Sequence, residues 1–433
     1  MHIYFSGIGG TGIGPLALIA HRAEFEVSGS DKQDSSYLQY LQKQGITDIH
    51  VGQSYDQIAA IHEKHPIDWL VYSSAVTKEH ADHPELIFCR EHDIKATKRD
   101  EFLSSFLQEK HLKLIAIAGT HGKTTTTAMT IWLFKQLGIP VSYSVGAKLS
   151  FGEMGEYDPQ SEYFVYEADE YDRNFLAFHP HLSIITGIDW DHPDIYPTRE
   201  NYNQAFIDFL NQSDHAVMWE NDDNKLGPGT LKTNRTILSK TDQPELKRLT
   251  LAGKVNRENA LEVAAALELL VPGQSKDELA ERLNAFPGLS RRFEEITPGL
   301  YSDYAHTPPK IKGALQLAHE KAGDKVVVVY EGLHNTRQHF IKKDLRDLFD
   351  DVKQLYIVPS YLAREDPNLP LLSPTDLKKL LSPSSQQHAQ PAELNVGLKQ
   401  KIQDHLSAGD TVLCITAGGG NSLDEWLRGE FAS

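Results

Sequence analysis

The sequence predicts an α/β protein made of three parallel-sheet units in series, and three observations carry that expectation. A chain of 433 residues is long enough for roughly three domains of about 150 residues each. Short apolar runs such as Trp69–Tyr72 and Leu112–Ala118 alternate with helical patterns, as in parallel sheets covered on both faces. The alternation restarts twice, near Leu112 and near Pro298.

The first unit is expected over residues 1–107, with strands at Ile3–Phe5, Phe25–Val27 and Trp69–Tyr72. The Lys-, Asp- and Glu-rich stretch Ala96–His111 reads as a helix leading into a linker. The second unit, residues 108–295, opens with the strand Leu112–Ala118, a glycine turn and a helix from Lys123 to Leu137. Tyr163–Tyr166 and Leu182–Thr186 read as further buried strands. In the third unit, residues 296–433, strands are expected at Leu300–Tyr304, Lys325–Tyr330, Leu355–Val358 and Thr411–Ile415. Helices are expected from Pro308, from about Lys342 and after Ala417–Asn421, and Ser382–Pro391 reads as a polar loop.

Composition narrows the function classes. Sixty acidic against 43 basic residues give a net charge of −17, a surface that repels polyanions and argues against nucleic-acid binding. A small phosphate ligand is still allowed, because a few amides and one lysine dominate such a site. Two cysteines, Cys89 and Cys414, build no disulfide framework or cysteine-rich zinc site and fit a reducing cytoplasm. The start Met1–Ser6 has no signal-peptide pattern, and no apolar run reaches the roughly 18 residues that a membrane span needs.

The sharpest motif is Gly119-Thr120-His121-Gly122-Lys123-Thr124-Thr125, between a buried strand and a helix. Glycines let the backbone curl until consecutive amides face phosphate oxygens, and the helix start adds its free N–H groups. Lys123 is then the cation for the outer phosphates, and the Thr124 hydroxyl the ligand for Mg²⁺. The general phosphate loop has a glycine five positions before Gly122, where this chain has Ile117, so the loop is a compact variant. Two acidic segments follow strands downstream: Glu167-Ala168-Asp169-Glu170 and Asp189-Trp190-Asp191-His192. Strand ends on one edge of a parallel sheet converge, and Mg²⁺ takes oxygen ligands, so Glu167 is the first-choice carboxylate. His192 is a candidate for a second metal or for orienting a bound water.

Gly7-Ile8-Gly9-Gly10-Thr11-Gly12 matches G-x-G-x-x-G after the first strand, and Asp31 follows at a spacing suited to a ribose contact. One reading is a nicotinamide or flavin site and hence an oxidoreductase. The motif itself reports only a backbone shaped for a diphosphate, which a nucleotide sugar also carries. A tight packing turn is the third reading.

Taken in order, these motifs resemble the Mur ligase family of peptidoglycan synthesis across nearly the whole chain. Ala252–Ala260, with Asn256 and Asn259, is similar to that family's adenine-contacting segment, although Val255 replaces the usual histidine. Ser290–Glu294 looks like its arginine motif, making Arg292 a candidate γ-phosphate contact, and Asp303–Pro308 opens the third domain as in the family. The resemblance implies a Rossmann-like N-terminal domain, a central P-loop ATPase domain and a Rossmann-like C-terminal domain. It implies ATP and Mg²⁺ as cofactors. UDP-N-acetylmuramate is the implied acid, held by Gly7, Gly9, Gly10, Thr11, Gly12, Ser30, Asp31, Ser73 and Ser74. ATP would be held by Gly119–Thr125, Asn256, Asn259, Arg292 and Asp303, and the metal by Thr124, Glu167 and His192.

The short first domain, with Gly7–Gly10 and Ser28–Asp31, resembles that of the family's L-alanine-adding members, which implies L-alanine as the amine. The family's tripeptide-adding members are similar there too, which leaves a stem tripeptide as the alternative. Glu331-Gly332-Leu333-His334-Asn335-Thr336-Arg337 is similar to the amine-side motif but departs from its usual Gln-Pro-His opening. Arg337 is either an amine-side contact or a surface cation at a helix cap. The implied chemistry is transfer of the γ-phosphoryl group to the carboxylate, followed by attack of the amine on the acyl phosphate. Lys123, His192, Arg292, His306 and Arg337 are the candidate catalytic residues. His306 has two readings, a proton acceptor or orienter for the amine, or a group that stabilises the fold.

Overall fold

The structure, a computed structural model, describes residues 1–431 except 74–75, 77–81, 193–194, 228, 242–243, 363–364 and 417. The chain forms two compact units, Met1–Leu249 with Asn259–Phe286, and Thr250–Glu258 with Pro287–Ser433.

The first unit holds two sheets. One is wholly parallel: β1 (His2–Ser6), β2 (Glu26–Asp31), β3 (Ile49–Val51), β4 (Trp69–Tyr72) and β5 (Lys95–Lys98), in the order β3-β2-β1-β4-β5. Strand order reverses beside β1, and its carboxyl end is the switch point where ligands sit in open α/β sheets. All five residues of β1 are buried, which explains its unbroken side-chain run.

The second sheet contains β6 (Lys113–Ala118), β7 (Ser142–Ser144), β8 (Gly155–Glu156), β9 (Tyr163–Glu167), β10 (Leu182–Ile185), β11 (His215–Trp219) and β12 (Asn234–Leu238). Their order is β12-β11-β10-β6-β9-β7-β8, and the edge strand β8 runs antiparallel. β6 lies between β10 and β9, so the turn after β6 is flanked by the segments that follow the other two. One apolar core joins the two sheets, running from Ile3 and Phe5 through Phe102 and Phe106 to Tyr166 and Phe206. Phe5 and Phe102 meet edge to face at 5.4 Å.

The second unit holds β13 (Glu294–Thr297), β14 (Leu300–Asp303), β15 (Val326–Leu333), β16 (Gln354–Tyr361), β17 (Ala389–Pro391) and β18 (Thr411–Ile415). They lie in the order β13-β14-β18-β15-β16-β17, with β13 antiparallel at the edge. All eight residues of the central β15 are buried.

Three expectations need correction. Ala96–His111 is not one helix: β5 pairs with β4, and the helix begins at Arg99. An edge strand with exposed Lys95 and Ala96 leaves no apolar run to read. Ser382–Pro391 is not a loop, because Ser382 caps a short helix, Pro383–His388, that leads into β17. The helix placed near Lys342 lies earlier, at Asn335–Ile341, where Glu365 accepts from the Thr336 amide at 2.8 Å. Among the described residues, no helix is long and apolar enough to cross a membrane.

Candidate active site

The turn after β6 is shaped by two glycines. Gly119 and Gly122 have φ of 135° and 76°, a region that favours glycine. A Cβ on Gly119 would lie 2.5 Å from Thr186 Oγ1, and one on Gly122 3.0 Å from Asn259 Nδ2. The turn is pinned from the β10 side: the Thr120 amide donates to Gly187 O at 2.8 Å, and the Thr120 hydroxyl to Asp189 O at 2.7 Å. Tyr202 packs its hydroxyl 2.7 Å from the same Thr120 oxygen. His121 Nε2 lies 3.0 Å from Asp189 Oδ2, and Lys225 lies 3.0 Å from Asp189 Oδ1. The hydrogen bond from His121, helped by Lys225, holds the Asp189 carboxyl well below its ordinary value.

The helix Lys123–Gln136 follows directly. Lys123 Nζ donates to Gly119 O and to Glu170 Oε2, both at 2.6 Å. Burial alone would favour a neutral lysine, but Glu170 and Asp169 outweigh it and Lys123 stays charged. Burial opposes the charge on Glu170 as well, yet Lys123 and His192 hold it ionised. Burial and the adjacent Glu170 charge push Asp169 up. His192 Nε2 lies 3.6 Å from Glu170 Oε1, so the structure brings this histidine to Glu170.

Thr124 donates to Glu167 Oε1 at 2.9 Å, while Glu167 Oε2 is buried with no hydrogen-bond partner among the described residues. A hydroxyl beside a carboxylate with an unsatisfied oxygen fits a hard divalent cation. Among the described residues, no group of three or more His, Cys, Asp and Glu forms a preformed metal cage. Mg²⁺ needs none, since it binds through one or two carboxylates together with substrate phosphates.

In the first sheet, the Gly7 and Ile8 amides donate to Ser30 O at 2.8 and 2.9 Å, and Gly10 N to Gly7 O at 3.0 Å. The Gly9 amide donates to Asp31 Oδ2 at 2.8 Å, so this carboxylate closes the turn instead of standing free for a ribose. Gly10 and Thr11 are exposed at the turn's tip, and Gly12 is partly so. Ser30 is fully buried: its hydroxyl and that of Tyr4 donate to Glu85 Oε1 at 2.5 and 2.6 Å, and Ser6 donates to Oε2 at 2.6 Å. Ser73 is half-buried at the end of β4, and Ser74 lies outside the described residues.

The second unit gathers its own polar cluster at the carboxyl ends of β14, β15 and β18. Arg291 and Arg292 lie 4.6 and 4.9 Å from the Tyr304 ring. Asp303 accepts from the Phe293 amide at 2.8 Å, and its burial outweighs Arg292 to push its pKa up to about 6. His306 Nδ1 lies 3.0 Å from Tyr304 O. Burial, then Lys310 and Arg337, push His306 well below its ordinary value, which also places Arg337 within electrostatic reach of it. The Glu331 that departs from the family's usual glutamine is buried: Thr416 donates to one oxygen and the Leu423 amide to the other at 2.9 Å. Asn256 donates to Ala252 O at 2.8 Å, whereas Asn259 packs on Gly122 as described.

Sequence reasoning left Glu170, Asp189 and Tyr202 out of the site. Glu170 and Asp189 lay inside motifs that were read, whereas Tyr202 contacts Thr120 across 82 residues and has no local signal.

The description "Mur ligase family, catalytic domain" matches residues 2–111, and "Mur ligase middle domain" matches residues 117–238. The chain is 30% identical to the UDP-N-acetylmuramate–L-alanine ligase of Clostridium acetobutylicum, over 96% of this chain and 95% of that one. Its fold is similar to that of the UDP-N-acetylmuramate-alanine ligase MurC of Thermotoga maritima, with a TM-score of 0.73, 25% identity and 97% and 96% of the two chains covered. A murein peptide ligase of Psychrobacter arcticus shares the fold at a TM-score of 0.62 and 22% identity, again over 97% and 96%. With matched domains over the phosphate loop, the acidic segments and the first glycine turn, the chain belongs to the Mur ligase family.

Proposed function

We propose that this chain is a cytoplasmic, ATP-dependent ligase that joins L-alanine to UDP-N-acetylmuramate and releases ADP and phosphate. The observation that carries the reading is the Gly119–Thr125 turn with Thr124 hydrogen-bonded to Glu167, in a chain alike end to end to a relative of that name. The self-closed Gly7–Gly12 turn, with Asp31 on the Gly9 amide, speaks against a nicotinamide site that needs that carboxylate on a ribose.

Three functional parts are proposed, residues 1–107 for the UDP-sugar, 108–295 for ATP and 296–433 for the amine. A carboxylate resists attack by an amine because resonance and negative charge both oppose it. One of its oxygens attacks the γ-phosphorus of ATP, the bond to the β-phosphate oxygen breaks, and acyl phosphate and ADP result. Amides of Gly119–Thr124 and the Lys123 ammonium hold the phosphates in line, and Arg292 adds positive charge as electron density moves. Thr124 and Glu167, with His192 as a further candidate, would hold Mg²⁺, which would supply positive charge beside the phosphate oxygens. The amine nitrogen then attacks the acyl carbon, a proton passes to His306, and the tetrahedral intermediate collapses to amide and inorganic phosphate.

Phosphate release with UDP-N-acetylmuramate tests this, with L-alanine, L-serine, glycine and the stem tripeptide supplied separately. L-Alanine is expected to give the highest kcat/KM, and the tripeptide outrunning it would move the amine assignment. Lys123→Ala should abolish turnover with every amine; retained activity would remove the phosphate-loop assignment.

A further inference from the structure

We propose that Arg99 binds an oxyanion of the acid substrate at the seam between the Gly7–Gly12 turn and the Glu167–Glu170 segment. The inference deepens the proposed function and rests on it.

Arg99 is the first residue of the helix Arg99–Glu109, directly after β5. Its guanidinium fills the space that a side chain at position 12 would take, since a Cβ on Gly12 would lie 1.9 Å from Arg99 Nη1. On the other side, Nη2 faces Asp169 Oδ2 at 3.8 Å, one residue from Glu170, the partner of Lys123. One side chain therefore touches the turn shaped for a diphosphate and the acidic segment that serves the phosphate loop.

An arginine fixed in a bidentate salt bridge engages its carboxylate at about 2.7–2.9 Å. Arg99 does not. Among the described residues its one hydrogen bond is from Nε to Asp100 Oδ2 at 3.4 Å, and neither terminal nitrogen has an acceptor within bonding distance. Asp100 already accepts from the Tyr166 hydroxyl at 2.9 Å. The structural tie between this strand end and the acidic segment is made next door, where Lys98 Nζ lies 2.7 Å from Asp172 Oδ2. Arg99 is left 19% exposed, with two donors turned to the seam. A planar fork of that kind matches a carboxylate or a phosphate in two parallel bonds.

Both groups occur in UDP-N-acetylmuramate, and titration calorimetry separates them. Parent, Arg99→Ala and Arg99→Lys proteins are titrated with UDP, UDP-N-acetylglucosamine and UDP-N-acetylmuramate, of which only the last carries a carboxylate. Arg99→Ala is expected to weaken UDP-N-acetylmuramate about tenfold or more, and Arg99→Lys to recover only part, because a point charge lacks the fork. Mg·ATP affinity should stay that of the parent, which a general loosening of the fold would not allow. Equal weakening of all three ligands assigns Arg99 to the diphosphate; weakening of UDP-N-acetylmuramate alone assigns it to the carboxylate. Unchanged affinity for all three overturns the proposal. A parent protein that binds none of them removes the ligase reading, and this inference with it. Should Arg99→Ala not fold, Arg99→Lys and Arg99→Gln carry the same comparison.

Discussion

Lys123 and Glu170 form a buried ion pair, Nζ to Oε2 at 2.6 Å, with side chains 14% and 1% exposed. Lys123 is thus held by a carboxylate from the neighbouring strand end, and in the proposed function an arriving γ-phosphate would share or replace that partner. Removing Glu170 strands a charged ammonium in a poorly solvated place. Glu170→Ala is therefore expected to destabilise the protein by about 3–5 kcal/mol, as when one half of a buried pair is deleted. Mg·ATP should restore more stability to the variant than to the parent, because phosphate supplies the missing charge. Urea unfolding with and without nucleotide measures both effects, and a variant as stable as the parent would contradict the role given to the pair.

Glu167 leads to a metal prediction. Its Oε2 lacks a partner while Oε1 takes the Thr124 hydroxyl. Glu167→Gln keeps a hydrogen-bond acceptor for Thr124 but loses the charge that attracts a cation. The Mg²⁺ concentration for half-maximal turnover should rise on the order of tenfold or more. Stability without metal should hold or improve, since the charge of a buried carboxylate is removed. Chelation should stop turnover in the parent and added Mg²⁺ restore it.

What the sequence made legible follows from where signals are local. The strands Lys113–Ala118 and Thr411–Ile415 are central and largely buried, so their apolar runs mark them, and the Gly119–Lys123 turn announces itself through its glycines, which the structure holds at positive φ. β5 and β17 are edge strands with exposed residues, and a polar edge has no period to read. In the site, residues within one motif were found together. The hold of Tyr202 on Thr120 and the nearness of Arg99 to Gly12 arise only when distant segments pack. The fate of Glu331, turned inward to Thr416 and Leu423, was equally hidden, because one residue's identity does not say which way a strand end faces.

Asp303 leads to a pH dependence of stability. Its pKa is raised from 3.8 to about 6 by burial, against the pull of Arg292. Between those values the folded state holds a proton that the unfolded state has released, so stability falls as pH rises from about 4 to about 6. Above pH 6 the full cost of the buried charge remains, of order 1–3 kcal/mol. Asp303→Asn keeps an acceptor for the Phe293 amide and removes the titration. Its denaturation midpoint should lose that part of the pH slope; an unaltered slope would mean that Asp303 is ionised throughout.

His306 leads to the prediction that separates its two readings. Tyr304 O can only accept, so the proton of the neutral ring lies on Nδ1 and the lone pair on Nε2. Burial, Lys310 and Arg337 depress its pKa well below the ordinary 6.5, and the ring is neutral at pH 7 and ready to take a proton from an amine. The folded state resists protonation, so the stability that depends on a neutral His306 is complete above 6.5. It is lost as pH falls below 6.5 toward the folded pKa, and His306→Ala should lack that loss. An acid limb in kcat/KM for the amine, where His306 causes it, must then lie well under pH 6.5. If His306 accepts the proton, His306→Ala should lower kcat by about 10²–10⁴-fold while leaving the KM for ATP near that of the parent. If it serves only the fold, the midpoint of unfolding should drop while kcat of the folded fraction is kept. Measuring both quantities on the same variant decides between a base and a brace, because each reading predicts a change where the other predicts none.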